Sequence, residues 1–212
     1  MLPPASSPGS SPAPVVLVTG AARRVGAEIA RLLHAGGARV ILHCRSSVTQ
    51  ADCLADALNA QRPDSAAVAT ADLSSPAATA LLAREALARF GRVDGLVNNA
   101  SSFFATPVGS MDEGAWQDLL GSNLKGPLFL SQALAPALRE SGGAIVNITD
   151  IHAERPLAGY GLYCAAKAGL LAAAAGGALA GAVGVWRWLS IQKLKPEADE
   201  VEDAERLRDP PL

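Results

Sequence analysis

Residues 15–33 read VVLVTGAARRVGAEIARLL, and this stretch decides the fold. It begins with the apolar run Val15–Val18, which is typical of a strand buried on both faces of a parallel sheet. A turn containing two glycines follows, and the apolar residues of 27–33 then recur with helical spacing. Such a turn lets backbone N–H groups and the helix dipole face a phosphate. The stretch therefore predicts a βα unit that binds a pyrophosphate. The residues expected to hold it are Gly20, Arg23, Arg24 and Val25.

Beyond this unit, strand-like and helix-like segments continue to alternate. The other predicted strands are 38–43, 67–70, 93–97 and 144–148, and the predicted helices are 48–60, 77–90 and a long helical pattern over 107–140. This alternation predicts an α/β fold, a doubly wound parallel sheet with helices on both faces. The long pattern is predicted to bury an apolar stripe. Its members are Trp116, Leu119, Leu120, Leu124, Leu128, Phe129, Leu134 and Leu138.

Composition narrows the function classes. The chain has 212 residues, half of them apolar, which is enough for one sizeable core. A net charge of -2 argues against a nucleic-acid-binding protein. The three cysteines and three histidines have no metal-ligand spacing, so we expect no metal and a reduced, cytoplasmic setting. Residues 1–13 are rich in Pro and Ser and lack the basic and apolar regions of a signal peptide, so a disordered tail is expected.

The end of the second predicted strand indicates which dinucleotide would bind. In such folds an acidic residue here selects a free ribose 2′-hydroxyl, whereas an arginine accommodates a 2′-phosphate. The strand ends in His43 and Cys44, followed by Arg45 and Ser46, with no acidic residue. We therefore expect NADP(H) rather than NAD(H), bound in part by these four residues.

Candidate catalytic residues follow the strand at 144–148. Asp150 lies just beyond its carboxyl end, where open α/β sheets bind their ligands. Tyr163 and Lys167 are four residues apart on the next predicted helix, so they share one face. A nearby ammonium favours a phenolate, so the pair predicts a pKa for Tyr163 about two units below its reference near 10. Tyr163 would then serve as a proton donor near neutral pH.

The Tyr-x-x-x-Lys pair, the glycine turn and the sequence Asn98-Asn99-Ala100 after the fourth predicted strand together resemble the short-chain dehydrogenase/reductase family. The resemblance covers about residues 14–170 and implies a Rossmann-type fold and a nicotinamide cofactor. It implies that Asp72 and Leu73 contact the adenine, that Asn99 and Ala100 border the cofactor, and that Lys167 binds the nicotinamide ribose. Asn123 matches the helical asparagine that holds a water beside the lysine; an ordinary polar helix residue is the alternative.

A narrower resemblance is to the pteridine reductases. It rests on Arg24 within the glycine turn, on 44–46, on 99–103, and on Asp150 thirteen residues before Tyr163, where the wider family commonly has serine. It implies NADPH-dependent reduction of a pterin or folate substrate at a ring C=N bond. Phe103 would stack on the pterin, Ser101 would hydrogen-bond cofactor and substrate, and Asp150 and Tyr163 would contact the substrate and deliver protons. Such enzymes are homotetramers or dimers.

The sequence also departs from this pattern. Arg24 replaces an expected glycine, and a plain surface arginine is the alternative there. Residues 171–212 diverge, so the last strands are expected to be missing or altered. Two other functions stay open: a 3-oxoacyl or other carbonyl reductase, and an inactive relative that still binds the cofactor. Residues 168–186 are uncharged and long enough for a membrane span, but they are mainly Ala and Gly, so no membrane protein is expected.

Overall fold

The computed structural model describes residues 12–179 and 187–189. The strands are β1 (Val15–Val18), β2 (Arg39–Cys44), β3 (Ala66–Thr70), β4 (Gly95–Asn98), β5 (Ala144–Ile148) and β6 (Arg187–Leu189). The helices are α1 (Arg24–Ala35), α2 (Val48–Gln61), α3 (Pro76–Phe90), α4 (Glu113–Leu120), α5 (Gly126–Ser141) and α6 (Gly161–Leu179). Within the described residues all strands run parallel in one sheet, in the order β3-β2-β1-β4-β5-β6. The predicted doubly wound, Rossmann-type α/β fold is confirmed.

Alternate residues of β1 pack on opposite faces of the sheet. Val15 and Leu17 pack with residues of α3 and α5, whereas Val16 and Val18 pack with residues of α1 and α2. All four are buried, as the continuous apolar run predicted. Both faces of the central strand are therefore covered by helices, and polar groups are accommodated at the carboxyl edge of the sheet.

The long helical pattern over 107–140 is two helices rather than one. Asp112 caps α4 by accepting a hydrogen bond from the Ala115 N–H at 2.7 Å, so the helix begins at Glu113. A π-helical turn, Gly121–Lys125, then separates α4 from α5. A π turn rotates the following residues onto a different face. The predicted apolar stripe is wrong at three exposed positions, one before this turn and two after it. These are Trp116, Leu128 and Phe129.

The divergent C-terminal segment contributes two elements to the described structure. Residues 171–179 continue α6, and the short strand β6 pairs in parallel with β5, where a missing or altered strand was expected. Residues 1–11, and with them most of the predicted tail, lie outside the described residues, as do 180–186 and 190–212. Among the helices described, none combines the length and hydropathy of a membrane span. The uncharged run 168–186 extends beyond the described part of α6.

Two glycines bring the turn after β1 into contact with the end of β4. A Cβ on Gly26 would overlap the carbonyl oxygen of Gly20 and lie 2.5 Å from the side-chain nitrogen of Asn99. Gly20 has a φ of 63°, and its Cβ would lie 2.9 Å from the Ala100 Cα. Only glycine allows this close approach. The turn therefore lies where β1 and β4 diverge, the point at which open α/β sheets bind ligands.

We predict that Gly26→Ala lowers the free energy of unfolding by about 2 kcal/mol, because the added methyl has no room beside the Gly20 carbonyl and the Asn99 side chain. Urea unfolding measures this. Gly36→Ala is the matched control. Its Cβ would meet only ordinary contacts at 3.4 Å, at a φ of -75°, so its effect should stay within about 0.5 kcal/mol. Equal effects of the two substitutions would contradict the packing argument.

Candidate active site

Asp150, Tyr163 and Lys167 meet at the carboxyl end of β5. The Tyr163 hydroxyl donates a hydrogen bond to Asp150 Oδ2 at 2.6 Å. Lys167 Nζ donates to the carbonyl oxygen of Ile148 at 3.0 Å, and it lies 5.8 Å from the centroid of the Tyr163 ring. Tyr163 and Lys167 are both buried. The structure thus brings together the three groups that the sequence predicted to be close.

The predicted direction of the Tyr163 pKa shift is wrong in this structure. Burial, followed by the hydrogen bond to Asp150 and the charge of its carboxylate, raises the pKa of Tyr163 above its ordinary value. The sequence argument counted the ammonium of Lys167 but not the closer carboxylate or the burial of the phenol. At neutral pH the shared proton therefore resides on the phenol, and Asp150 is the carboxylate.

The other two groups remain charged near neutral pH, although burial shifts Lys167 toward its neutral form. Burial lowers the pKa of Lys167 to about 8, and the negative charge of Asp150 acts against this shift. Burial acts to raise the pKa of Asp150, but hydrogen bonds from Tyr163 and the His152 N–H, with nearby positive charge, hold it below its ordinary value. The site therefore contains a carboxylate, a protonated phenol and an ammonium below about pH 8.

Phe103 packs on both tyrosines of the chain. Its ring stacks on Tyr160 with centroids 4.7 Å apart and planes 15° apart, and it meets Tyr163 edge-on at 4.8 Å. Phe103 is still 53% exposed, and Phe104 is also exposed, so neither belongs to the core. Sequence analysis did not include Tyr160 in the site, although its place three residues before Tyr163 was a usable signal. These rings form one aromatic wall beside the Asp150–Tyr163 pair.

Asn123 lies in the π-helical turn and connects it to the segment after β4. It accepts a hydrogen bond from Ser101 Oγ at 2.6 Å and donates to the carbonyl oxygens of Ser102 at 2.9 Å and Leu119 at 3.0 Å. The side chain is completely buried. Asn123 therefore holds Ser101, a predicted cofactor and substrate contact, in place.

A cleft of about 460 Å³ opens at the carboxyl ends of β1 to β4. Its walls include every residue predicted to bind the cofactor except Tyr163 and Lys167. These are Gly20, Arg23, Arg24, Val25, His43, Cys44, Arg45, Ser46, Asp72, Leu73, Asn99, Ala100 and Ser101. Further lining residues that sequence analysis did not name are Ala22, Gly26, Ser47, Ala71, Ser102 and Ser122. The predicted residues from four separate segments therefore surround one space.

His43 lines this cleft, and its buried side chain connects two backbone segments. Its Nδ1 accepts a hydrogen bond from the Gly20 N–H at 3.3 Å, and its Nε2 lies 3.1 Å from the carbonyl oxygen of Ala71. Because a carbonyl can only accept, the ring must carry its proton on Nε2. Burial lowers the pKa of His43 to about 4, although the bond to Ala71 and the charge of Asp72 act to raise it. A neutral His43 therefore links the glycine turn to the segment after β3.

Arg24 occupies a backbone conformation that normally selects glycine. Its φ is 51°, in the left-handed region, at the position where the resembled family has glycine. A side chain there costs roughly 1–2 kcal/mol relative to ordinary backbone geometry. Such strain concentrates at functional sites. The cost is consistent with the arginine having a role in the cleft rather than at a neutral surface position.

Arg45 and Asp72 both line the cleft and have different hydrogen-bond partners. Arg45 Nη1 forms an ion pair with Asp118 Oδ1 of α4 at 2.7 Å. Asp72 Oδ1 accepts hydrogen bonds from the Ser74 N–H at 2.9 Å and from its hydroxyl at 2.8 Å. Asp72 therefore orders the turn before α3. The partner of Arg45 was not predicted.

Comparison with known proteins gives one matching family. The model of the family described as short chain dehydrogenase matches residues 14–182. Pteridine reductase 1 of Leishmania tarentolae is 39% identical over 199 residues, covering 76% of this chain and 69% of the relative. Galactitol 2-dehydrogenase of Agrobacterium fabrum is 33% identical over 162 residues, covering 74% and 60%. A 3-oxoacyl-acyl-carrier-protein reductase of Staphylococcus epidermidis is 33% identical over 156 residues, covering 73% and 64%. The chain thus spans 60 to 69% of the length of these relatives.

The raised pKa of Tyr163 can be measured directly because the chain has only two tyrosines. In Tyr160→Phe, Tyr163 is the only tyrosine, so tyrosinate absorbance reports on it alone. We predict no ionisation at the reference pKa near 10. Adding Asp150→Asn should move the midpoint downward, because the neighbouring negative charge is removed. Spectrophotometric titration, with circular dichroism to confirm folding, measures both.

Glu154→Gln in the Tyr160→Phe background is the control for this titration. Glu154 is an exposed carboxylate four residues after Asp150, and it should leave the Tyr163 midpoint unchanged. Ionisation of Tyr163 at or below the reference value would restore the original sequence prediction. An equal shift from both carboxylate substitutions would show a general charge effect instead of the direct bond.

Proposed function

The chain belongs to the short chain dehydrogenase family, and from that premise we propose that it is an NADPH-dependent reductase of pterins or dihydrofolate-type substrates. The family consists of oxidoreductases that use a nicotinamide cofactor. The observation that carries the narrower proposal is the 2.6 Å hydrogen bond between Tyr163 and Asp150. It pairs a proton-bearing phenol with a carboxylate just beyond the carboxyl end of β5.

The cleft residues fit a dinucleotide. The glycine turn packs against the end of β4 too closely for a Cβ on Gly20 or Gly26, and both glycines line the cleft at the start of α1, where backbone N–H groups can approach a pyrophosphate. Arg23 and Arg24 add positive charge at the same turn, which begins α1. Asp72 and Leu73 line the opposite wall, where an adenine would lie. In this proposal Asn99, Ala100 and Ser101 border the nicotinamide half.

Arg45 and Ser46 support NADP(H) over NAD(H). Both line the cleft beyond β2, and Arg45 is 53% exposed in its side chain, so its guanidinium can reach a bound phosphate. An arginine offers several N–H donors in a geometry that matches phosphate oxygens. No acidic residue occupies the end of β2 to bind a free 2′-hydroxyl.

The catalytic groups are suited to reduction of a ring C=N bond. NADPH, when bound, supplies the hydride that adds to the ring carbon. Tyr163 donates its phenolic proton to the ring nitrogen, so that C=N becomes CH–NH and the charge balances. Lys167, close to the ring of Tyr163, stabilises the resulting phenolate and also binds the nicotinamide ribose. Asp150 holds the phenol in position and can accept hydrogen bonds from an amino-pyrimidine.

The pKa of Tyr163 keeps the phenol in the protonated form that reduction requires. Because the pKa is raised, the phenol carries its proton at neutral pH, but it is also a weaker acid than a free phenol. The positive charge of Lys167 beside the ring of Tyr163 then stabilises the phenolate that forms. Phe103, half-exposed on the aromatic wall, offers a flat face for a heteroaromatic ring, and such stacking contributes roughly 0.5 to 1.5 kcal/mol beyond burial.

A carbonyl reductase is the second candidate, because a 3-oxoacyl-acyl-carrier-protein reductase is among the similar proteins. A carbonyl oxygen that becomes an oxyanion is best stabilised by neutral or cationic donors. Asp150 is a carboxylate here and would repel that charge. A screen of NADPH oxidation with dihydrobiopterin, dihydrofolate and a 3-oxoacyl thioester distinguishes the two. NADPH binding without turnover of any substrate would indicate the inactive relative.

We predict that Arg45→Asp reverses the cofactor preference. The substitution replaces a phosphate partner with a carboxylate that repels phosphate and can bind a ribose hydroxyl, so the NADPH to NADH affinity ratio should fall by about 100-fold or more. Fluorescence titration of both dinucleotides measures the ratio. Arg31→Asp, at an exposed position on α1, is the control and should leave it unchanged. An unchanged ratio in Arg45→Asp would remove the argument for NADP(H).

We predict that Asp150→Ser lowers kcat for the pterin by about 100-fold. A serine hydroxyl carries no negative charge, so it neither anchors the amino-pyrimidine nor holds the Tyr163 hydroxyl as a carboxylate does. NADPH affinity should change by less than about two-fold, because Asp150 is not proposed to contact the cofactor. Steady-state kinetics and direct titration measure the two quantities. Equal losses of turnover and of NADPH binding would contradict the assigned role.

A further inference from the structure

The Arg45–Asp118 ion pair joins the two walls of the cofactor cleft at its adenosine end. Arg45 follows β2, and Asp118 lies on α4, with 2.7 Å between Nη1 and Oδ1. The backbone of Asp118 also contacts the cleft wall, because its carbonyl oxygen accepts a hydrogen bond from the hydroxyl of Ser122, a residue of the π-helical turn that lines the cleft. The pair therefore connects segments that are 73 residues apart, across the space where an adenosine would bind.

Negative charge already surrounds the guanidinium that is proposed to bind the 2′-phosphate. The hydrogen bond to Asp118, with the charges of Asp118 and Asp72, raises the pKa of Arg45, although burial acts against this. A phosphate monoester carries about -1.5 to -2 charges near neutral pH. A carboxylate and such a phosphate on the same guanidinium repel each other. Binding of the phosphate therefore requires Arg45 to exchange one anionic partner for another.

We propose that Asp118 is a specificity-determining residue that competes with the cofactor's 2′-phosphate for Arg45 and so reduces the preference for NADP(H) over NAD(H). The inference rests on the proposed function, because it requires Arg45 to bind that phosphate. The side chains of Arg45 and Asp118 are 53% and 32% exposed, so the pair is weak enough for a phosphate to displace. The carboxylate thus tunes the preference and does not block the cofactor.

The test uses two adenosine nucleotides that differ in the 2′-phosphate, adenosine 2′,5′-bisphosphate and adenosine 5′-monophosphate, bound to the intact protein. Asp118→Asn should tighten binding of the bisphosphate by about three-fold, the size expected for an exposed ion pair, and should leave the monophosphate unchanged. Isothermal titration calorimetry measures both dissociation constants without turnover. NADPH and NADH should show the same difference.

Glu113→Gln is the matched control, because it removes one negative charge from the same helix at a carboxylate whose hydrogen bond comes from Gln117. It should leave both dissociation constants unchanged. In an Arg45→Ala background, Asp118→Asn should no longer affect the bisphosphate, because the contested partner is gone. Persistence of the effect without Arg45 would show direct repulsion by Asp118 and overturn the competition.

The remaining outcomes separate the inference from the proposed function. Weaker bisphosphate binding in Asp118→Asn would mean that the carboxylate supports Arg45 instead of competing, and would overturn the inference. Unchanged binding would also overturn it, and the proposed function would stand as long as the native protein prefers the bisphosphate. A native protein that shows no preference for the bisphosphate would contradict the NADP(H) assignment itself.

Discussion

The close approach of β1 and β4 at their carboxyl ends is the constraint on which the cleft depends. The hydroxyl of Thr19 accepts hydrogen bonds from the N–H groups of Asn99 at 2.9 Å and Ala100 at 3.0 Å. The Asn99 side chain returns hydrogen bonds to the carbonyl oxygens of Thr19 at 2.9 Å and Gly20 at 3.2 Å. Because β1 and β4 diverge here, these backbone groups cannot bond to the neighbouring strand, and the hydrogen bonds with Thr19 and Asn99 satisfy them instead. They also require a glycine at position 20, since a Cβ there would meet the chain of β4. The open space of the cleft begins where this contact ends.

Local sequence signals predicted those parts of the structure that depend on short-range geometry. The apolar run of β1 was placed to the residue, because a strand buried on both faces has a distinctive composition. The shared face of Tyr163 and Lys167 follows from helical spacing alone. The start of the long helical pattern, at 107–112, and its continuity were predicted poorly, because Asp112 caps α4 through its side chain and a π-helical turn later changes the exposed face. Neither feature leaves a periodic signal.

Features that depend on distant residues could not be predicted from the sequence. The Arg45–Asp118 pair joins positions 73 residues apart, and no spacing rule relates them. His43 resembled a cofactor contact because it lies at the end of β2, yet both of its ring nitrogens are used to brace the backbone. The pKa of Tyr163 was predicted in the wrong direction for a similar reason. Its sign is decided by burial and by Asp150, and both depend on how β5 and α6 pack.

The proposed catalytic groups and the Arg45 end of the cleft use charge in opposite ways. Lys167 and Tyr163 are buried, so the charge of the partly exposed Asp150 acts strongly on both. Removing Asp150 would leave the ammonium of Lys167 buried without this nearby negative charge, which ties the protonation of the site to its integrity. At the adenosine end, Arg45 and Asp118 are partly exposed, where solvent screens their attraction and the pair can exchange partners at small cost. In the proposed function, burial therefore separates a rigid catalytic set from an adjustable binding set. The same types of charged side chain would then serve chemistry at one end of the sheet edge and selectivity at the other.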